Sequence, residues 1–257
     1  MNTVTSKDGT TIAFDQTGTG PALILVGGFP DRSANTQLAG LLSSHFTVIN
    51  YDRRGRGDSG DTMPYALERD FDDLQALIEA AGGSVLMYGT SGGAIMALEA
   101  ASRGLAITKL ALWEPPYILE GSRPPVPSDY LAQLEQLIAA DRRGDALELF
   151  FVQAVGMPAQ FVTPMRMSPF WGSMEKVAHT LVYDAILTGD FSLPAQRFAT
   201  ITVPTLVIDG GMSPWLSQGA QAVADALPHA QRRTLTGQPH NVDSAVIAPA
   251  LAEFLAT

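Results

Sequence analysis

A serine set among glycines, Gly89-Thr90-Ser91-Gly92-Gly93, is the stretch of this chain best suited to covalent chemistry. It fits the pattern Gly-x-Ser-x-Gly, in which the glycines let a strand and a helix approach closely around a turn sharp enough to leave the serine hydroxyl exposed. A hydroxyl is a poor nucleophile until a base takes its proton, so a histidine has to meet Ser91 in space. Four are present. His45 precedes a strand at the end opposite the strand carboxyl ends, His229 occupies the turn before the last strand, and His179 falls within a helical stretch. His240, in Gly237-Gln238-Pro239-His240-Asn241, follows the last expected strand, where loops leave the carboxyl edge of a parallel sheet and ligands bind. Ser91 is therefore the expected nucleophile and His240 its expected base.

The elements that must hold these residues can be read from periodicity. Short apolar runs at Thr11–Phe14, Ala22–Val26, Phe46–Tyr51, Val85–Tyr88 and Thr108–Trp113 read as strands, with helical spacing at 33–44, 67–81 and 94–103 between them. Ser91 thus stands between a strand and a helix, a context that a Gly-Ser turn of no chemical purpose does not need. Strands alternating with helices imply a mainly parallel central sheet covered on both faces, an α/β fold. After Glu114 the prolines 115, 116, 124, 125 and 127 end that rhythm, and helices are expected at 129–141, 145–155 and 174–188 without strands. The alternation resumes with strand Thr205–Ile208, helix 217–227, strand Arg232–Leu235 and helix 245–255. The expected organisation is a core of residues 1–115 and 195–257 carrying an α-helical insertion, 116–194.

Composition narrows the partners. With 26 acidic and 16 basic residues the net charge is -10, which repels phosphate backbones and anionic membrane surfaces, so a small molecule is a better partner than nucleic acid or membrane. The absence of cysteine removes disulfides, thiolate metal sites and cysteine nucleophiles. The polar stretch Met1 to Thr10 and the lack of a long apolar run fit a soluble, cytoplasmic protein. Neither glycine-rich segment gives Gly-x-Gly-x-x-Gly, which argues against dinucleotide binding. Composition leaves the oligomeric state open.

Several landmarks, in order, resemble the α/β-hydrolase superfamily along nearly the whole chain. Leu23-Ile24-Leu25-Val26-Gly27-Gly28-Phe29-Pro30 looks like the family's strand and oxyanion loop, usually written with His-Gly where Gly27-Gly28 stand here. Tyr51-Asp52-Arg53-Arg54-Gly55-Arg56-Gly57-Asp58-Ser59 is similar to the segment after the next strand, which in the family mostly braces the loop. Pro204 to Ile208 and the turn Gly237 to His240 look like its last two strands with their loops. The resemblance implies that the insertion is a cap over the active site and that no metal or organic cofactor is used. It also implies an oxyanion hole made by the backbone N–H groups of Phe29 and Gly92. Gly28, Trp171 and Tyr183 are expected to touch substrate, with core packing an equal reading for the two aromatics; Tyr130 is in the same position.

The acid that orients His240 departs from the commonest family pattern. In most relatives an aspartate aligns with about Ser213, and serine cannot carry the negative charge that stabilises an imidazolium. Some relatives place the acid at the end of the strand that follows the nucleophile helix, and Glu114 occupies that place, 23 residues beyond Ser91. Two alternatives stay open: Glu114 bracing the hinge at Pro115-Pro116, or Asp209 reaching the histidine from its own strand end. The expected activity is hydrolysis of a carboxylic ester or lactone through an acyl-enzyme, with an apolar cap favouring a hydrophobic substrate. A ligand-binding or sensor protein, a degenerate hydrolase, a perhydrolase and a C–C hydrolase are the other readings, because function belongs to the site and not to the fold.

Overall fold

The apolar runs spaced through the chain pair into one sheet. In the computed structural model, which describes residues 1–256, its eight strands are β1 (Asn2–Thr5), β2 (Thr11–Thr17), β3 (Ala22–Val26), β4 (Thr47–Tyr51), β5 (Val85–Thr90), β6 (Ile107–Trp113), β7 (Thr205–Gly211) and β8 (Ala230–Gln238). They lie in the order β1-β2-β4-β3-β5-β6-β7-β8. β1 and β2 run antiparallel at one edge, and β4 through β8 are mutually parallel.

Side chains alternate across the sheet with period two, so each central strand feeds two cores. Ile24, Val26, Met87, Leu110 and Leu112 face one side. Leu23, Leu25, Tyr88, Ala111 and Trp113 face the other. The first face is covered by α2 (Leu67–Ala80), α3 (Gly92–Ser102) and α10 (Pro214–Ala226), and the second by α1 (Thr36–Leu42) and α11 (Ser244–Leu255). Between β6 and β7 the described chain makes only helices: α4 (Tyr130–Ala139), α5 (Arg143–Leu149), α6 (Ala159–Met165), α7 (Trp171–Lys176), α8 (Leu181–Thr188) and α9 (Ala195–Phe198). α4 to α8 have a third core of their own, with Leu134, Leu147, Val162 and Leu181 fully buried, while α9 packs Phe198 into the first. The fold is a mainly parallel α/β sheet with a helical insertion above its carboxyl edge.

Element boundaries differ from the periodicity in places that have local causes. The helix expected over 33–44 begins as a 3-10 turn, Arg32–Asn35, because the Asp31 carboxylate caps the Ser33 N–H at 2.8 Å. The stretch 174–188 is broken into α7, a 3-10 turn Ala178–Thr180, and α8, with Val177 leaving helical geometry at φ -107°, ψ 8°. The helix expected over 145–155 passes from α5 into a π-helical turn, Phe150–Ala154. β1 has no apolar run to announce it, since Asn2, Thr3 and Thr5 are exposed on the sheet edge. α6 was hidden by Pro164, which reads as a helix breaker yet falls in its last turn.

Candidate active site

The turn from β5 into α3 holds Ser91 at φ 54°, ψ -123°, a conformation that L-residues rarely adopt. Two of the glycines around it, Gly89 and Gly93, are there because nothing larger fits. A Cβ on Gly93 would lie 2.1 Å from the Val26 carbonyl oxygen, and one on Gly89 would lie 2.5 Å from the Gly93 oxygen. Strand, turn and helix therefore close on β3 and lift the Ser91 hydroxyl above the sheet edge.

Two neighbouring elements bring partners to it. β6 leads directly into Glu114, 1% exposed and itself at φ 42°, and β8 runs out through Gly237 to His240. His240 Nε2 is 3.0 Å from Ser91 Oγ, and His240 Nδ1 is 2.6 Å from Glu114 Oε2. The other carboxylate oxygen of Glu114 accepts the Gly210 N–H at 2.9 Å, which fixes its plane. With Glu114 ionised, the imidazole proton resides on Nδ1 and the lone pair of Nε2 faces the serine hydroxyl. Trp113 ties the three together: its carbonyl accepts the Ser91 N–H at 2.9 Å, its indole N–H donates to the His240 carbonyl at 2.8 Å, and Glu114 follows it in the chain.

Asp209, the alternative acid, faces elsewhere. Its oxygens accept from Ser217 Oγ at 2.8 Å and Thr234 Oγ1 at 3.1 Å, and pair with Arg232 at 2.8 Å. Ser213 lies on the cavity wall. His45 and His229 are exposed away from the site, and His179, in the 3-10 turn of the insertion, sits 3.4 Å from Asp61.

A cavity of about 810 Å³ opens above Ser91 and His240. Gly28, Phe29 and Gly92 line it, as does Tyr130. Gly92 is the first residue of α3, so its N–H has no acceptor within the helix. The Phe29 N–H makes no backbone hydrogen bond among the described residues. Most of the remaining wall is apolar: Phe150 and Phe151 from the π-helical turn, Met157, Met165 and Met174 from the insertion, and Trp215 and Leu216 from α10.

Two expectations about this wall are corrected. Trp171 is buried in the core of the insertion, its indole N–H donating to Glu175 at 3.0 Å. Tyr183 stacks on Tyr65 with ring centroids 3.9 Å apart and donates its hydroxyl to Asp61 at 2.7 Å. Neither lines the cavity. Each is an amphipathic aromatic whose polar tip found a partner outside it. Phe150 and Phe151, which take their place, had no signal beyond a doubled aromatic in a helical stretch.

Each of the arginines after β4 is held in an ion pair. Arg53 binds Asp70 at 3.1 Å and Asp184 at 2.6 Å, Arg54 binds Asp73 at 2.7 Å and Asp8 at 3.0 Å, and Arg56 binds Asp184 at 2.7 Å. Asp184 belongs to α8, so this cluster fastens the insertion to the core. Burial alone would raise the Asp184 pKa, but Arg56 and Arg53 outweigh it and hold the carboxyl below its ordinary range.

Eight strands in this order, a serine on a strained strand-to-helix turn and a histidine beyond the last strand define the α/β-hydrolase class, and the alpha/beta hydrolase family model matches residues 23–250. The chain belongs to this family. An alpha/beta hydrolase from Sphaerobacter thermophilus is 52% identical, with a TM-score of 0.94 over 99% of this chain and 100% of that one. A thermophilic esterase from Thermogutta terrifontis is 24% identical and has the same fold, with a TM-score of 0.75 over 99% of this chain and 97% of its own. A non-heme chloroperoxidase from Kitasatospora aureofaciens is 24% identical across 94% of this chain and 93% of its own length. Among the described residues, no helix is long and apolar enough to cross a membrane.

Proposed function

We propose that this hydrolase cleaves carboxylic esters or lactones of hydrophobic small molecules by way of an acyl-enzyme on Ser91. The observation that carries the reading is the unbroken chain Ser91–His240–Glu114 at 3.0 and 2.6 Å, opening on a mainly apolar cavity. His240 Nε2 takes the hydroxyl proton as Ser91 Oγ bonds to the ester carbonyl carbon, and the carbonyl π electrons move to oxygen. The N–H groups of Phe29 and Gly92 hold that oxyanion, each worth about 3 kcal/mol in the transition state. Collapse expels the alkoxide, which takes the proton from His240. Water then repeats the sequence on the acyl-enzyme, giving its proton to His240 and releasing the acid and free Ser91. Glu114 keeps Nδ1 protonated and stabilises the imidazolium in both halves. Residues 116–194 act as the cap, whose phenylalanine and methionine side chains select an apolar acyl or alcohol group.

A panel of chromogenic esters and lactones of graded acyl length, with Ser91→Ala beside the wild type, tests this. Turnover that vanishes in Ser91→Ala, together with fluorophosphonate labelling at Ser91 only, is expected. A protein that turns over none of the panel and takes no label is a binding protein or a degenerate member of the fold. Likeness to a chloroperoxidase supports a second reading, in which hydrogen peroxide replaces water as acceptor of the acyl group and a peracid leaves. Adding peroxide to the ester assay and measuring peracid distinguishes it.

A further inference from the structure

Arg56 differs from Arg53 and Arg54 in touching the loop after β3. Its side chain is 1% exposed, and each guanidinium nitrogen has a partner. Nη1 donates to the Gly28 carbonyl at 3.1 Å, Nη2 to Asp184 at 2.7 Å and Nε to Thr180 Oγ1 at 3.0 Å. The guanidinium carbon also lies 5.6 Å from the centre of the Phe29 ring. Gly28 packs its other side on the nucleophile turn, where a Cβ would meet Thr90 O at 3.6 Å and Ser91 Cβ at 3.9 Å.

The carbonyl that Arg56 holds belongs to the same peptide unit as the Phe29 N–H. That peptide is trans, so its C=O and N–H point in opposite directions. Fixing the oxygen on the Arg56 side turns the N–H away from Arg56, toward the cavity that Phe29 shares with Ser91. A cationic donor on the oxygen also draws electron density from the amide and makes its N–H a stronger donor. Asp184 and Thr180, which hold the other two nitrogens, both come from the insertion.

We infer that Arg56 is a positioning residue that orients the Gly28–Phe29 peptide as an oxyanion donor, and that it makes this donor depend on the seating of the helical insertion. The inference rests on the acyl-transfer reading above. The closing of the cap and the completion of the oxyanion hole are, through this one guanidinium, the same event. Arginine is required because a lysine ammonium cannot span Gly28, Asp184 and Thr180 at once.

The test compares Arg56→Lys and Arg56→Met with wild type in ester turnover and in binding of two matched inhibitors. One is a trifluoromethyl ketone, whose Ser91 adduct carries an oxyanion; the other is the corresponding secondary alcohol, which forms no adduct. Both variants should lose about 10²-fold in kcat, the range for removing one oxyanion donor, and a similar factor in ketone affinity. KM and alcohol affinity should stay within about threefold. Asp184→Asn and Thr180→Val should show the same split at about tenfold, and they decide the matter if the Arg56 variants do not fold. Folded variants that keep kcat and ketone affinity, or that lose ketone and alcohol affinity equally, overturn the inference and leave Arg56 a structural brace. A wild type that neither turns over esters nor labels at Ser91 removes the acyl-transfer reading and this inference with it; an active wild type with unaffected variants removes this inference alone.

Discussion

Glu114 and Asp209 are both fully enclosed carboxylates at the ends of adjacent strands, and their hydrogen bonds separate their duties. Glu114 spends one oxygen on His240 and the other on Gly210, whereas Asp209 is occupied by Ser217, Thr234 and Arg232. Glu114→Gln should therefore cost on the order of 10⁴ in turnover, the loss typical when the acid of such a triad is removed. Asp209→Asn and Ser213→Ala should retain most activity, provided that circular dichroism shows them folded. Collapse of Asp209→Asn beside an active Glu114→Gln would move the acid to the later strand. His240 is the one histidine within reach of Ser91, so His240→Ala should lose turnover by a factor of at least about 10². Wild-type turnover in a folded His240→Ala protein would remove that residue from the reaction.

The elements explain which of these residues could be read from the chain and which could not. Ser91 and His240 are marked by punctuation: glycines on a strand end and a Gly-Gln-Pro turn after the last strand. The contact of Glu114 with His240 was legible because sequence distance from Ser91 counts one helix and one strand, and Thr90 and Trp113 are register partners. Trp171 and Tyr183 were misplaced because the rotation of each insertion helix is set by partners such as Glu175, four residues away, and Asp61, 122 residues away. No periodicity encodes the second kind. β1 escaped because a polar edge strand has only one half-buried residue, Val4. Glycine positions give an element-scale prediction. Gly93→Ala places its Cβ against the β3 backbone, so it should destabilise by about 1–3 kcal/mol or more and, by shifting Ser91, cost about 10²-fold in activity. Gly172, within α7 and with open space at its Cβ, should gain up to about 1 kcal/mol as alanine. Urea unfolding and turnover measured on both variants provide the check.

At the scale of the molecule, the insertion and the sheet are joined through charge as well as through apolar contact. Asp184 is shared by Arg53 and Arg56, and removing one partner of such a mostly buried set costs about 3–5 kcal/mol. Asp184→Asn should lower stability by that amount at neutral pH. The folded carboxyl lies below its ordinary 3.8, so its contribution is present above that value and is lost as pH falls through the folded one. The gap between wild type and Asp184→Asn should thus narrow below about pH 4, and a gap constant with pH in urea titrations would contradict this. Tryptophan placement has a separate consequence. The chain has three: Trp113 lies buried at the end of β6 in the sheet's second core, Trp171 in the core of the insertion and Trp215 on the cavity wall. Each level of the structure thus carries its own fluorophore. Single-tryptophan variants would give three emission signals, separating ligand entry, loosening of the insertion and melting of the sheet without an added dye.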